Sequence, residues 1–111
     1  MTLSRTGLAS VFLFSSVVAS LPLSAATRGE SLYKANCAGC HGSKGLGDGP
    51  EVDRKDRRNR PANLTRSRNP EDVVFDKIWN GRKDSEMPAF KSRMTKDEVQ
   101  AVVAYVMSLR P

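Results

Sequence analysis

Histidine occurs once in these 111 residues and cysteine only twice. A structural zinc site almost always takes four Cys or His ligands, and the chain offers three. Long apolar runs are missing as well. The stretch from Leu8 to Val18 is broken by Ser10, Ser15 and Ser16 and falls short of the ~20 residues a spanning helix needs, so no stable membrane span is expected. Aromatic residues make up 6% of the chain, and no face interleaves them with basic residues. Despite a formal net charge of +6, nucleic acid is therefore not an expected partner.

The scarce residues stand together, as Cys37-Ala38-Gly39-Cys40-His41. This is the attachment pattern of covalent c-type haem. Two thiols one helical turn apart can add to the two vinyl groups of one porphyrin edge, and the following imidazole then lies under the ring, where it can bind iron. Ala38 and Gly39 are small and let backbone and macrocycle approach. A disulfide or a redox dithiol are the competing readings. The first gives His41 no part, and the second normally sits in a strand-helix context absent here.

Residues 1–26 read as a secretory signal, with Arg5 near the start, the apolar stretch, and small residues ending Ser24-Ala25-Ala26. Cleavage is expected after Ala26, leaving residues 27–111 as one domain in the periplasm. Arg5 is the one charge lost, so the remaining chain carries +5, and its surface favours acidic partners. So short a chain builds little apolar core unaided. A haem bonded at two points would be the staple such a fold needs.

The spacing predicts a helix over 28–36, carrying Leu32 and Tyr33, with Gly29 as a place where another helix crosses closely. Residues 42–50 hold four glycines and a proline, and form a loop expected to hug the haem edge. A second helix is expected from Asn69 as cap and Pro70 as first helical residue to Asn80-Gly81. On its stripe of Val74, Phe75, Ile78 and Trp79, the two aromatics are expected to touch haem. Thr95 and Glu98 form a capping box that opens the last helix, with Val99, Val102, Val103 and Val106 on one face.

His41 can fill one axial position, and no second histidine exists for the other. Met1 leaves with the signal, and Met107 lies on the last helix. Met87 is the favoured sixth ligand because Pro88 biases it toward an extended conformation in an irregular segment; Met94 is the alternative.

These residues resemble the small monohaem class I cytochromes c of bacteria. The resemblance rests on Gly29, Leu32, Tyr33 and Cys37 to Gly42, then Pro61-Ala62-Asn63-Leu64-Thr65, Ile78-Trp79-Asn80-Gly81, Met87-Pro88-Ala89-Phe90 and Tyr105. It implies an all-α small cytochrome c fold, three or more helices wrapped around one haem c, with iron held by His41 and Met87. It also implies that the first and last helices cross at Gly29 and Tyr105, and that the Pro61 segment steadies the His41 imidazole. The implied activity is one-electron Fe(III)/Fe(II) exchange with redox partner proteins, not enzymatic turnover. Two other roles stay open: a haem-bearing subunit of a larger periplasmic oxidoreductase, and a gas- or peroxide-binding haem protein. The run Arg54, Lys55, Arg57, Arg58 and Arg60 departs from the family and is a candidate docking face for an acidic partner.

Overall fold

The structure is a computed structural model of the whole chain; it describes all residues except Met1, Ser4, Arg5, Thr6 and residues 21–23, together with the side chains of Ala25 and Arg58. Arg5 of the expected signal and the Arg58 side chain of the basic run therefore lie outside the described residues. Four helices, α1 (Ala25–Asn36), α2 (Ala38–His41), α3 (Glu71–Asn80) and α4 (Lys96–Ser108), are joined by loops and a 3₁₀ turn at Arg57–Asn59, and the described residues contain no strand.

α1 begins three residues before the expected start, because the Ser24 hydroxyl accepts the Thr27 N–H as a cap. Cleavage after Ala26 would fall in its first turn. Upstream, residues 7–20 carry no regular structure. Leu8, Phe12, Leu13 and Phe14 are 83–96% exposed there and add nothing to the core. No helix among the described residues is long and apolar enough to cross a membrane.

α1 crosses α4 at Gly29, where a Cβ would meet the Ala101 carbonyl and lie 3.3 Å from Tyr105 Cβ. The bare backbone lets the helices touch. Tyr33 is fully buried beside Tyr105, with ring centroids 5.1 Å apart, and its hydroxyl donates to the Gly42 carbonyl at 2.7 Å. At the far edge Arg28 Nη2 reaches Glu98 Oε1 at 2.9 Å. α4 starts on the expected capping box: the Thr95 hydroxyl accepts the Glu98 N–H, and Glu98 accepts the Thr95 N–H. Its valines 99, 102, 103 and 106 are all buried, each worth roughly 1.5–3 kcal/mol of apolar transfer.

α3 starts one residue later than expected. Pro70, at φ −67° and ψ 166°, is the cap rather than the first helical residue, and its carbonyl accepts the Val74 N–H. Asn69 is thereby freed from capping. Val74 and Ile78 face α4 and join Phe90 and Met94 in the core. Gly81 ends the helix at φ 69°, a left-handed value that glycine tolerates best.

A cleft lined by thiols, imidazole and thioether

One turn of helix organises the cysteine motif. Cys37 N–H donates to Tyr33 O at 2.8 Å and His41 N–H to Cys37 O at 2.9 Å, so residues 37, 40 and 41 share a helix face. All three line one cleft of about 280 Å³. Its apolar wall comes from Leu64, Val74, Ile78, Phe90, Val102 and Val106, and Met87 with Pro88 lines it too. Both cysteines are free thiols.

The glycine-rich loop does not hug this cleft, as was expected, but braces the motif from behind. Gly47 N–H donates to His41 O at 2.8 Å, Gly49 N–H to Cys40 O at 3.0 Å and Glu51 N–H to Gly39 O at 2.9 Å. The wall resumes at Glu51. Gly39 serves that brace: a Cβ there would lie 2.6 Å from the Glu51 carboxylate. The backbone itself comes close at Gly49, where a Cβ would run into the Gly39 carbonyl and the Cys40 backbone, so a bare position there lets the returning chain pack on the motif.

His41 Nδ1 lies 3.0 Å from the Ala62 carbonyl. A carbonyl only accepts, so Nδ1 carries the proton, and in the neutral ring Nε2 keeps its lone pair for a metal. Burial lowers the imidazole pKa and the Ala62 bond partly opposes it, which favours that neutral form. The steadying atom is the carbonyl of Ala62, within the expected Pro61 segment, and the Leu64 N–H to Gly45 O bond at 2.6 Å ties that segment to the loop. No side-chain pattern marks which carbonyl will do this.

Burial, and then Cys40, raise the Cys37 thiol to about 11. A redox dithiol needs the opposite shift, so that reading loses support. Among the described residues no group of three or more His, Cys, Asp or Glu could hold a bare metal ion. The donor chemistry fits haem: two adjacent thiols, an oriented imidazole, a thioether and apolar walls around one space.

Of the alternative ligands, Met94 is 7% exposed and packed in the core, outside the cleft lining, as is Met107. Phe75 and Trp79 correct an expectation. They stack on each other at 5.9 Å outside the cleft lining, with the Lys96 ammonium 5.9 Å over Trp79. Val74 and Ile78 take the inward places instead. Arg54, Lys55, Arg57 and Arg60 are exposed, and Arg60 lies on the cleft rim. Among the cleft residues without an expected site role are Ser67, Arg110 and Asn69, the last expected only as a helix cap. Arg110 Nη1–H donates to Asn69 O at 2.8 Å and Nη2–H to Ser67 Oγ at 3.4 Å. Arg110 lies past the end of α4 at Ser108, so no helical periodicity marks it in the sequence.

Residues 24–106 match the family described as "Cytochrome C oxidase, cbb3-type, subunit III". The chain is 29% identical to cytochrome c6 of Leptolyngbya boryana, covering 74% of this chain and 89% of that one. It is 32% identical to cytochrome c6 of Parathermosynechococcus lividus, covering 71% and 84% respectively. Among solved structures, a chain of the reducing HAO-like protein complex of Kuenenia stuttgartiensis superposes with a TM-score of 0.69 at 28% identity. That match covers 82% of this chain and 48% of the other.

Proposed function

The chain belongs to the cytochrome c family, as a small monohaem class I c-type cytochrome, and from that premise we propose that it is a periplasmic one-electron carrier. Membership implies covalently bound haem c. The carrying observation is that Cys37, Cys40, His41 and Met87 line a single cleft. Cys37 and Cys40 would hold the haem through thioethers, and His41 Nε2 and the Met87 sulfur would hold its iron. Bound haem supplies a reversible Fe(III)/Fe(II) couple.

The chain's own work is to bind, orient and exclude. The Ala62 carbonyl fixes the tautomer and plane of His41. Val102 and Val106 of α4 and Ile78 of α3, which line the cleft, would keep water from the ring. Met87 would supply the second protein ligand to the iron, leaving no position for a substrate, and a soft thioether would favour the reduced metal. Residues 1–26 act as the export signal, removed after Ala26, and residues 27–111 form the working domain.

The absorption spectrum of the purified protein tests this reading. One covalent haem per chain, a methionine-to-iron charge-transfer band when oxidised and slow carbon monoxide binding when reduced are expected. Rapid carbon monoxide binding without denaturant would instead mark a gas- or peroxide-binding centre. A second reading, a subunit of a larger oxidoreductase, draws on the similarity to a chain of a protein complex. Elution of the native protein with a catalytic partner would favour it.

The exposed Arg54, Lys55, Arg57 and Arg60 are proposed to steer an acidic redox partner to the cleft rim. Neutralising them should flatten the salt dependence of the reduction rate, and an unchanged slope removes the docking role.

A further inference from the structure

Among the described residues, the buried side-chain nitrogen or oxygen without a hydrogen-bond partner is Arg110 Nε. A buried donor on a cation is costly to leave unpaired. Its surroundings say what would satisfy it. The other guanidinium nitrogens are already fixed by the Asn69 carbonyl and the Ser67 hydroxyl, and those two bonds set the plane of the fork. Arg110, Asn69 and Ser67 all line the cleft. Val102 and Val106 of α4 line the cleft with Arg110, so the wall that α4 supplies is continued, just past the helix end at Ser108, by a fixed cation.

Other cations on the cleft do not carry this demand. Arg60 and Arg82 line it too but are exposed, so water satisfies them. Arg110 alone offers a buried, oriented N–H with no partner among the described protein atoms.

We infer that Arg110 is the anchor for a carboxylate of the bound cofactor, a haem propionate, which accepts the Nε–H bond. This assignment rests on the reading that haem fills the cleft. It matches shape to chemistry: an apolar disc with an anionic edge meets a wall of valines that ends in a held guanidinium. Charge-assisted bonds from arginine to carboxylate are among the strong ones. Because Asn69 and Ser67 already hold the fork, little side-chain freedom is left to lose on binding. The same contacts tie the C-terminal segment to the entrance of α3.

The test compares the full-length holoprotein with Arg110→Met, Arg110→Lys and Ser67→Ala, reading covalent haem content, the propionate bending mode by resonance Raman, and reduction potential. Arg110→Met should keep its covalent haem, shift the bending mode and lower the potential, since removing a positive charge beside a propionate favours Fe(III). Arg110→Lys should restore most of the potential while the mode stays shifted, because charge returns without the fork. Ser67→Ala, which frees one side of the fork while keeping its charge, should shift the bending mode less than Arg110→Met does. A shift as large as that of Arg110→Met with the potential unmoved would count against the charge-assisted bond. An Arg110→Met protein with unmoved mode and potential but a lower melting point would overturn the assignment, leaving Arg110 a latch for the C-terminus. Should Arg110→Met fail to fold, an unmoved mode in Arg110→Lys overturns it equally. Wild-type protein without covalent haem would sink the functional reading as well, whereas normal wild-type haem with unmoved variants sinks the Arg110 assignment alone.

Discussion

The segments carrying His41 and Met87 line the same cleft but are held in different ways. Around His41 the backbone binds itself: the helical turn of α2, the loop bonds to His41, Cys40 and Gly39, and the Leu64 bond to Gly45 form one mesh. The imidazole then takes its plane from Ala62. Around Met87 the mesh is thin. Arg82 N–H donates to Met87 O at 3.2 Å, Met87 N–H to Ser85 Oγ at 3.3 Å, and Gly81 supplies the left-handed turn that admits the segment. The His41 side of the cleft is thus built by a dense mesh, and the Met87 side is held mainly at its ends, by Gly81 and by the Phe90 N–H to Ile78 O bond at 3.0 Å. Preorganisation on one side limits the ordering cost to the other.

The largest effect should come from the prepared side. Removing both thiols, as Cys37→Ala with Cys40→Ala, is expected to abolish covalent haem, read as complete loss of haem stain after denaturing electrophoresis. Retained stain would break the comparison outright. On the adaptable side, Met87→Ala should keep the haem attached but lose the methionine-to-iron band and lower the potential. Met94→Ala should keep the band yet cost about 2–5 kcal/mol in denaturant unfolding, as a buried methionine does. A band that survives in Met87→Ala and vanishes in Met94→Ala would move the thin side elsewhere.

A smaller effect should follow from Gly81→Ala. The left-handed φ and a Cβ 2.7 Å from Ala89 N predict a loss of roughly 1–2 kcal/mol, measured by denaturant, with a weaker methionine band. Equal loss of covalent attachment would show that the two sides are not independent. The smallest effect should lie outside both, at Glu98→Gln. Bonds from the Thr95 N–H and then Arg28 hold the Glu98 carboxyl below its ordinary value of 4.5. Its contribution is therefore present above that value and fades as pH falls through the lowered one. The melting-point gap between wild type and Glu98→Gln should close in acid, and a gap that persists there would deny the carboxylate its role.

What the sequence revealed follows the same division. Features written in side-chain identity were legible: the thiols and imidazole, the Thr95 and Glu98 capping box, the four valines of α4, and the Gly29 crossing. Features that depend on backbone atoms or rotation were not. Any residue could have supplied the carbonyl that Ala62 offers to His41. The start of α3 moved one residue along, with Pro70 as cap in place of Asn69, because an extended proline can cap without a side chain. The stripe on α3 was read correctly as apolar, yet its aromatics lie one residue around from Val74 and Ile78, enough to turn them out of the cleft. Arg110 carried no expected role because its partners are a carbonyl and a hydroxyl some forty residues away.

The crossing at Gly29 also orders events in time. Arg28 and Glu98, which meet across it, are 70 positions apart, so the contact that shuts the domain joins nearly the first and last residues of the folded part. Closure across so long a loop is slow relative to local helix formation. Until α4 arrives, the wall made by Val102 and Val106 does not exist, and the face bearing Cys37 and Cys40 stands open. The topology thus presents the two thiols on a formed turn before the opposite wall of their cleft is in place.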